Sequence, residues 1–323
     1  MKSARKKQLS ILIKIIILFL AGWFVYHRIT SNNNLRKFRE LIAETDLQSL
    51  YITLYVVFAL MLVNWLLESG KWYYLASKIE AISFWQSVEA VFCGLTWAVF
   101  TPNRIGEYGG RVFFLSPRRR IHGVFAMAVG AFAQNVLTNV LGSFAAAWFL
   151  NRYILNSFWA GAGFYALAGL LSVAMILFYF KIGWLEKMLM RIRFLQKFER
   201  FFSILGRYSF PELLSIFLFS VARFAVFTSQ YVLLFHLLLP EIANIQVVLM
   251  VFILFFIQSA LPSLDLIDVG VRSLTAEQLF SHITSETVAV MAIVACVWFT
   301  NLIIPAILGA GFVFKLNFFG SSD

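Results

Sequence analysis

Six stretches of this chain run for about twenty residues or more with almost no charge: Leu9 to Ile29, Leu50 to Leu67, Ile121 to Leu150, Phe158 to Phe180, Phe210 to Leu239 and Thr287 to Phe314. Each is near or beyond the ~20 residues that a helix needs to cross a hydrocarbon core of about 30 Å. The longer ones must tilt or project past the lipid. Charged residues make up 13% of the chain and hydrophobic ones 61%, whereas soluble domains carry about 25% charged residues. The expected fold class is all-α: a polytopic helical membrane protein with about six full crossings, forming one integral membrane domain over the whole chain.

Lys2, Arg5, Lys6 and Lys7 precede the first run as they would in a secretory signal. A cleavable apolar region has roughly 7–15 residues and ends at a small-x-small site. This run is longer, and Gly22-Trp23-Phe24-Val25-Tyr26 offers no such site, so an uncleaved first helix is expected. Cys93 and Cys296 both fall in apolar stretches, and His27, His122, His236 and His282 are scattered. Neither a disulfide framework nor a metal centre follows from that spacing, and no cofactor is expected.

The net charge of +11 comes from basic residues placed between apolar runs. That placement fits a surface facing anionic lipid headgroups on the cytoplasmic side rather than nucleic acid. With the N-terminus in the cytoplasm and the six runs as crossings, that side holds roughly 17 Lys and Arg, among them Lys71, Lys78, Arg118, Arg119 and Arg120. The other side holds roughly 5: Arg28, Arg36, Lys37, Arg39 and Arg152. This positive-inside bias predicts a multi-pass protein of the cell membrane with both termini cytoplasmic.

Phe84 to Phe100 and Gln246 to Leu261 are also apolar, but counting either as a crossing would reverse the charge bias. The bias is kept if each dips in and returns. The first turns near Thr101-Pro102-Asn103 and comes back through Gly106 to Phe114. The second turns at Pro262-Ser263 and comes back through Ile267 to Phe280. Each half of the chain, 9–150 and 157–314, then reads as two crossings, a re-entrant hairpin and a crossing, starting from opposite sides. Inverted repeats with broken helices at matching positions are a feature of transporters, with the binding site at the repeat interface. Between the halves, Leu185, Met188, Leu189, Ile192, Leu195 and Phe198 recur at helical spacing among basic residues. An amphipathic helix over about 184–202, lying on the cytoplasmic leaflet, is expected there.

Charge at bilayer depth costs about 2.5–3.5 kcal/mol per residue on insertion scales and is paired or functional. This chain gathers it at the two bends: Arg104, Glu107 and Arg111 at the first, Asp265, Asp268 and Arg272 at the second. Arg223 sits mid-way along the fifth run, with Gln230 two turns further on the same face. Arg104 and Arg111 can present forked donors to a phosphate or carboxylate, and Gly106, Gly109 and Gly110 let backbone or ligand come close. Two readings stay open: a site for an anionic headgroup, or a salt-bridge cluster that only holds the hairpin, with Asp265 and Asp268 balancing the arginines. Gln134, Asn135 and Asn139 lie mid-way along the third run. They suit interhelical hydrogen bonds or the lining of a polar path, Asn135 and Asn139 sharing a face.

Thr101-Pro102-Asn103-Arg104-Ile105-Gly106-Glu107 resembles the Thr-Pro-Gly-Arg-(Ile/Leu)-Gly-Glu signature of the lysylphosphatidylglycerol synthase transmembrane-region, or flippase-like, family. A more degenerate second motif runs from Pro262 to Arg272, and the resemblance extends over nearly the whole chain. The family includes the lipid-flipping membrane half of the multiple peptide resistance factor, which moves aminoacylated phosphatidylglycerol between leaflets. The resemblance implies a membrane lipid as substrate and places Arg104, Gly106, Glu107 and Arg111 in a lipid-handling site. Asn103 stands where the signature has Gly, and the second motif has Asp265 and Asp268 in place of the usual Gly-Gly and Glu. No stretch resembles the soluble aminoacyl-transferase domain that makes the lysyl lipid. The function expected is a lipid flippase or transporter. The alternatives are a membrane enzyme acting on a lipid or lipid-linked sugar through Glu107, Asp265 and Asp268, or a non-transporting subunit. No nucleotide-binding motif is present.

Overall fold

The computed structural model describes residues 45–99, 101, 104–155, 157–184, 208–260 and 265–313, with a few isolated positions beside them and without the side chains of 265–269 and 313. The first apolar run, both proline bends and most of the 184–202 stretch lie outside the described residues. The described elements are α1 (Leu47–Ala76), α2 (Phe84–Ala98), α3 (Ile105–Val112), α4 (Arg120–Phe149), α5 (Phe158–Phe180), α6 (Phe210–Leu238), α7 (Asn244–Ala260), α8 (Asp265–Phe280), α9 (Thr287–Trp298) and α10 (Ile304–Val313). A π-turn, Leu150–Ile154, closes α4, and another, Phe299–Ile303, joins α9 to α10. Five helices are long and apolar enough to cross a membrane: Leu47–Ala76, Arg120–Ile154, Phe158–Phe180, Phe210–Leu238 and Thr287–Phe312. They coincide with five of the six apolar runs, and the chain is a multi-pass helical membrane protein.

Local chemistry sets several helix starts. The Asp46 carboxylate accepts from the Ser49 N–H at 2.8 Å ahead of α1. Ser83 and Gln86 form a reciprocal capping box at α2, as do Ser209 and Glu212 at α6, which also has Pro211 in its first turn. Each arrangement satisfies backbone donors that a helix start leaves unpaired.

α2 and α3 fold back on each other as an antiparallel hairpin. A Cβ on Gly110 would stand 2.5 Å from the Gly94 Cα, and one on Gly106 would overlap the Trp97 carbonyl. Only glycine permits this approach, which is how helices pack closely in lipid. The two ends of the hairpin meet: the Glu80 carboxylate, before α2, accepts from the Ser116 N–H at 3.0 Å and hydroxyl at 2.8 Å, after α3. α7 and α8 form the second hairpin. Phe280 at its end stacks on Phe235, just before its start, with ring centroids 4.6 Å apart.

The packing repeats between halves. α1 lies along α6, α2 packs on α10 and α7 packs on α4. In each of the last two contacts a glycine of the long span meets the hairpin's first arm: Gly309 against the Phe92 carbonyl, Gly142 against Phe256. One apolar cluster is centred on Met61, Trp72, Val91 and Ile216. A second is centred on Phe235, Met250, Leu254 and Val294. The cavity described next draws its wall from both.

Candidate functional site

At the centre of the site is Glu68, on the face of α1 that meets α6 and α3. Its Oε1 accepts from Arg111 Nη1 at 2.6 Å. Its Oε2 accepts from Arg223 Nη1 and lies 2.8 Å from Lys71 Nζ. Arg111 uses its other fork nitrogen to reach Glu107 Oε1, and Arg104 Nε stands 3.0 Å from Glu107 Oε2. Two carboxylates thus knit four basic side chains from three helices and one bend. Glu68, Lys71 and Arg111 are each at least 95% buried, so none could remain charged there without the others.

The depth of this cluster follows from helix geometry. Lys78 pairs with Glu212 at one end of the bundle. Glu68 is ten residues from Lys78 and Arg223 eleven from Glu212. At 1.5 Å per residue both lie about 15 Å from that pair along their helices, and Arg223 is at the middle of α6.

A cavity of about 350 Å³ opens beside the cluster. Its wall includes Lys71, Arg104, Arg111, Arg223 and Arg272 against Glu68 and Glu107, with Trp65, Trp72, Tyr108, Phe224, Phe227 and Phe255 as aromatic lining. Among the described residues that leaves three positive charges in excess. The Arg223 guanidinium also lies over the Trp65 ring, 5.2 Å from its centroid, a favourable placement for a desolvated cation. Arg272, from α8, donates to Gln258 Oε1 at 2.8 Å, so both hairpins contribute to the same wall. Arg104 holds a left-handed backbone conformation with φ 56° at the entry to α3. Such a conformation costs a bulky residue of order 1–3 kcal/mol and is characteristic of functional sites.

Uncharged polar groups extend the network away from the cavity. Arg223 Nε donates to Asn64 Oδ1 at 3.1 Å. Asn301, in the π-turn between α9 and α10, donates to Gln230 Oε1 at 2.8 Å, and its own Oδ1 is 3.5 Å from Asn64 Nδ2. Gln230 Nε2 in turn donates to the Val57 carbonyl at 2.9 Å.

Of the residues singled out from sequence, Arg104, Glu107, Arg111, Gln134, Arg223 and Arg272 meet at one cavity. Gly106 serves the hairpin, against Trp97 and with its N–H donating to Thr101 Oγ1 at 2.7 Å. Asn135 is exposed outside the cavity wall and accepts from Asn139 Nδ2 at 2.8 Å. Asp265 and Asp268 lie in the first turn of α8, their side chains outside the described residues. One expectation is overturned: Lys71, counted on the cytoplasmic surface, is 3% exposed. α1 continues to Ala76, past the end of the apolar run, and carries Lys71 inside beside Glu68. Sequence reasoning also missed Glu68, Asn64, Trp65, Trp72 and Asn301. The available signal was the Glu68–Lys71 pair, three residues apart on a helix that has not ended.

No curated protein and no solved structure matches the chain. A family model described as the lysylphosphatidylglycerol synthase TM region matches residues 11–309, taking in both hairpins and every helix that lines the cavity. The chain belongs to the lysylphosphatidylglycerol synthase TM-region family.

Proposed function

We propose that this protein is a lipid translocase, moving a phospholipid or other amphiphile with an anionic headgroup across the cell membrane. The observation that carries the reading is the cavity itself: cation-rich, beside the middle of α6, and walled by both hairpins and the α1–α6 pair. A buried surplus of positive charge is costly unless an anion shares the space. The family's association with lipid handling agrees with it. In this reading the α2–α3 and α7–α8 hairpins enter from opposite leaflets as parts of an inverted repeat, and both chain ends are cytoplasmic. Two broken segments meeting at a midplane site is the arrangement from which alternating-access transporters are built. The Asn64–Asn301–Gln230 amides would carry the polar surface onward through the apolar core.

The test is headgroup translocation in liposomes that contain the purified protein and a trace of fluorescent phospholipid. Wild type should move label between leaflets faster than protein-free liposomes. Arg223→Gln and Arg104→Gln should slow it at least tenfold while the protein still elutes as a folded species. Wild-type rates equal to those of empty liposomes would remove the translocase reading.

A further inference from the structure

Several residues that line the cavity carry a buried polar atom with no partner, and most of these atoms are donors. The indole N–H of Trp65, the indole N–H of Trp72 and the Nε–H of Arg111 are buried without a hydrogen-bond partner. Among the described residues of the wall, the one acceptor in the same condition is Gln134 Oε1. Trp65 and Trp72 are 4% and 1% exposed and sit two turns apart on α1, flanking Glu68. Buried donors of this kind are nearly always satisfied, and each left unmade destabilises the fold. The carboxylates, by contrast, are fully engaged: both oxygens of Glu68 and both of Glu107 already face Arg or Lys nitrogens.

We infer that the cavity takes a phosphodiester monoanion whose headgroup carries no ammonium, and that Trp65 and Trp72 bind its oxygens through their indole N–H groups. This rests on the proposed reading of the cavity as a headgroup site and narrows it by charge. A phosphodiester supplies acceptor oxygens and one negative charge, matching three spare donors and a cationic wall. A lysylated headgroup brings two ammonium groups into a wall whose described residues carry three more positive charges than negative and whose two described carboxylates are both engaged. Counting Asp265 and Asp268 of the same hairpin as well would still leave one positive charge in excess. Selectivity therefore runs against the lysyl lipid for which the family is named. Gln134 Oε1 is left to accept from a hydroxyl of the headgroup.

The experiment is calorimetric binding to the detergent-purified full chain with three probes: dihexanoyl phosphatidylglycerol, its lysylated form, and glycerophosphoglycerol, which has no acyl chains. Dihexanoyl phosphatidylglycerol should bind at least tenfold tighter than the lysylated form. The double variant Trp65→Phe, Trp72→Phe keeps the rings and removes only the N–H donors, and should weaken that binding about tenfold. Gln134→Glu adds a carboxylate to the wall and should raise the relative affinity for the lysylated probe, which holds even if the tryptophan variant fails to fold. Equal or tighter binding of the lysylated lipid to wild type overturns the inference, as does no binding of either diester. Unchanged affinity in a folded tryptophan variant overturns the assignment of the indoles. Binding without any transport in liposomes supports this inference and removes the translocase reading. Transport of anionic and lysylated lipids at equal rates does the reverse. Glycerophosphoglycerol binding as tightly as the lipid supports the anion chemistry and assigns the source to a soluble phosphodiester.

Discussion

Glu68 touches three cations with two oxygens, and nothing else described in the cavity can replace it. Removing one member of a buried ionic cluster strands the others and costs about 3–5 kcal/mol. Glu68→Gln should therefore lower thermal stability by about that amount in detergent; an unchanged unfolding curve would show that the cluster is not held by charge. Arg111 bridges Glu68 and Glu107 with separate fork nitrogens, a geometry that a lysine ammonium cannot copy. Arg111→Lys should keep the charge but lose one bridge, destabilising the protein by about 1–3 kcal/mol, less than Glu68→Gln in the same assay. The first-bend residues Arg104, Glu107 and Arg111 were legible because charge next to proline and glycine stands out inside apolar sequence. Glu68 was not. A charge at the end of an apolar run looks the same whether the helix stops there or, as here, continues for two more turns.

The hairpins depend on backbone contact between helices. Gly110→Ala places a methyl within 2.5 Å of the Gly94 Cα, where no side-chain rotamer can relieve it. The expected loss is about 1–3 kcal/mol or more, seen as a lower melting temperature and aggregation on size exclusion. Gly163→Ala, on α5 with open space around it, should change stability by less than about 1 kcal/mol, in the stabilising direction. Equal behaviour of the two variants would argue against the interlocked hairpin. The sequence showed that glycines cluster at the first bend and left open whether they admit a ligand or a backbone. At Gly106 and Gly110 the structure assigns them to backbone. The π-turn at Phe299–Ile303 had no sequence signature, yet it places Asn301 against Gln230 and Asn64. Asn301→Leu leaves the Gln230 acceptor unpaired at about 1–3 kcal/mol, measurable in the same melts.

At the scale of the whole molecule, the proposed topology places the α3–α4 connection and the α8–α9 connection on opposite sides of the membrane. Arg118 and Ser285 are both exposed. Arg118→Cys should react with an impermeant maleimide only from the cytoplasmic side and Ser285→Cys only from the other. Labelling of both from one side would break the opposed-hairpin arrangement. Run length, the positive-inside bias and the positions of proline and glycine are local quantities, so the sequence by itself determined the helical class, five of the described spans, the helix breaks and the family resemblance. Which helix faces touch depends on the tilt and rotation of each span, and hydropathy does not encode either. Only the tertiary structure therefore decided that Glu68 and Lys71 point inward, that α1 and α6 bring Glu68 to Arg223 across 155 residues, and that charges from both hairpins close on one cavity.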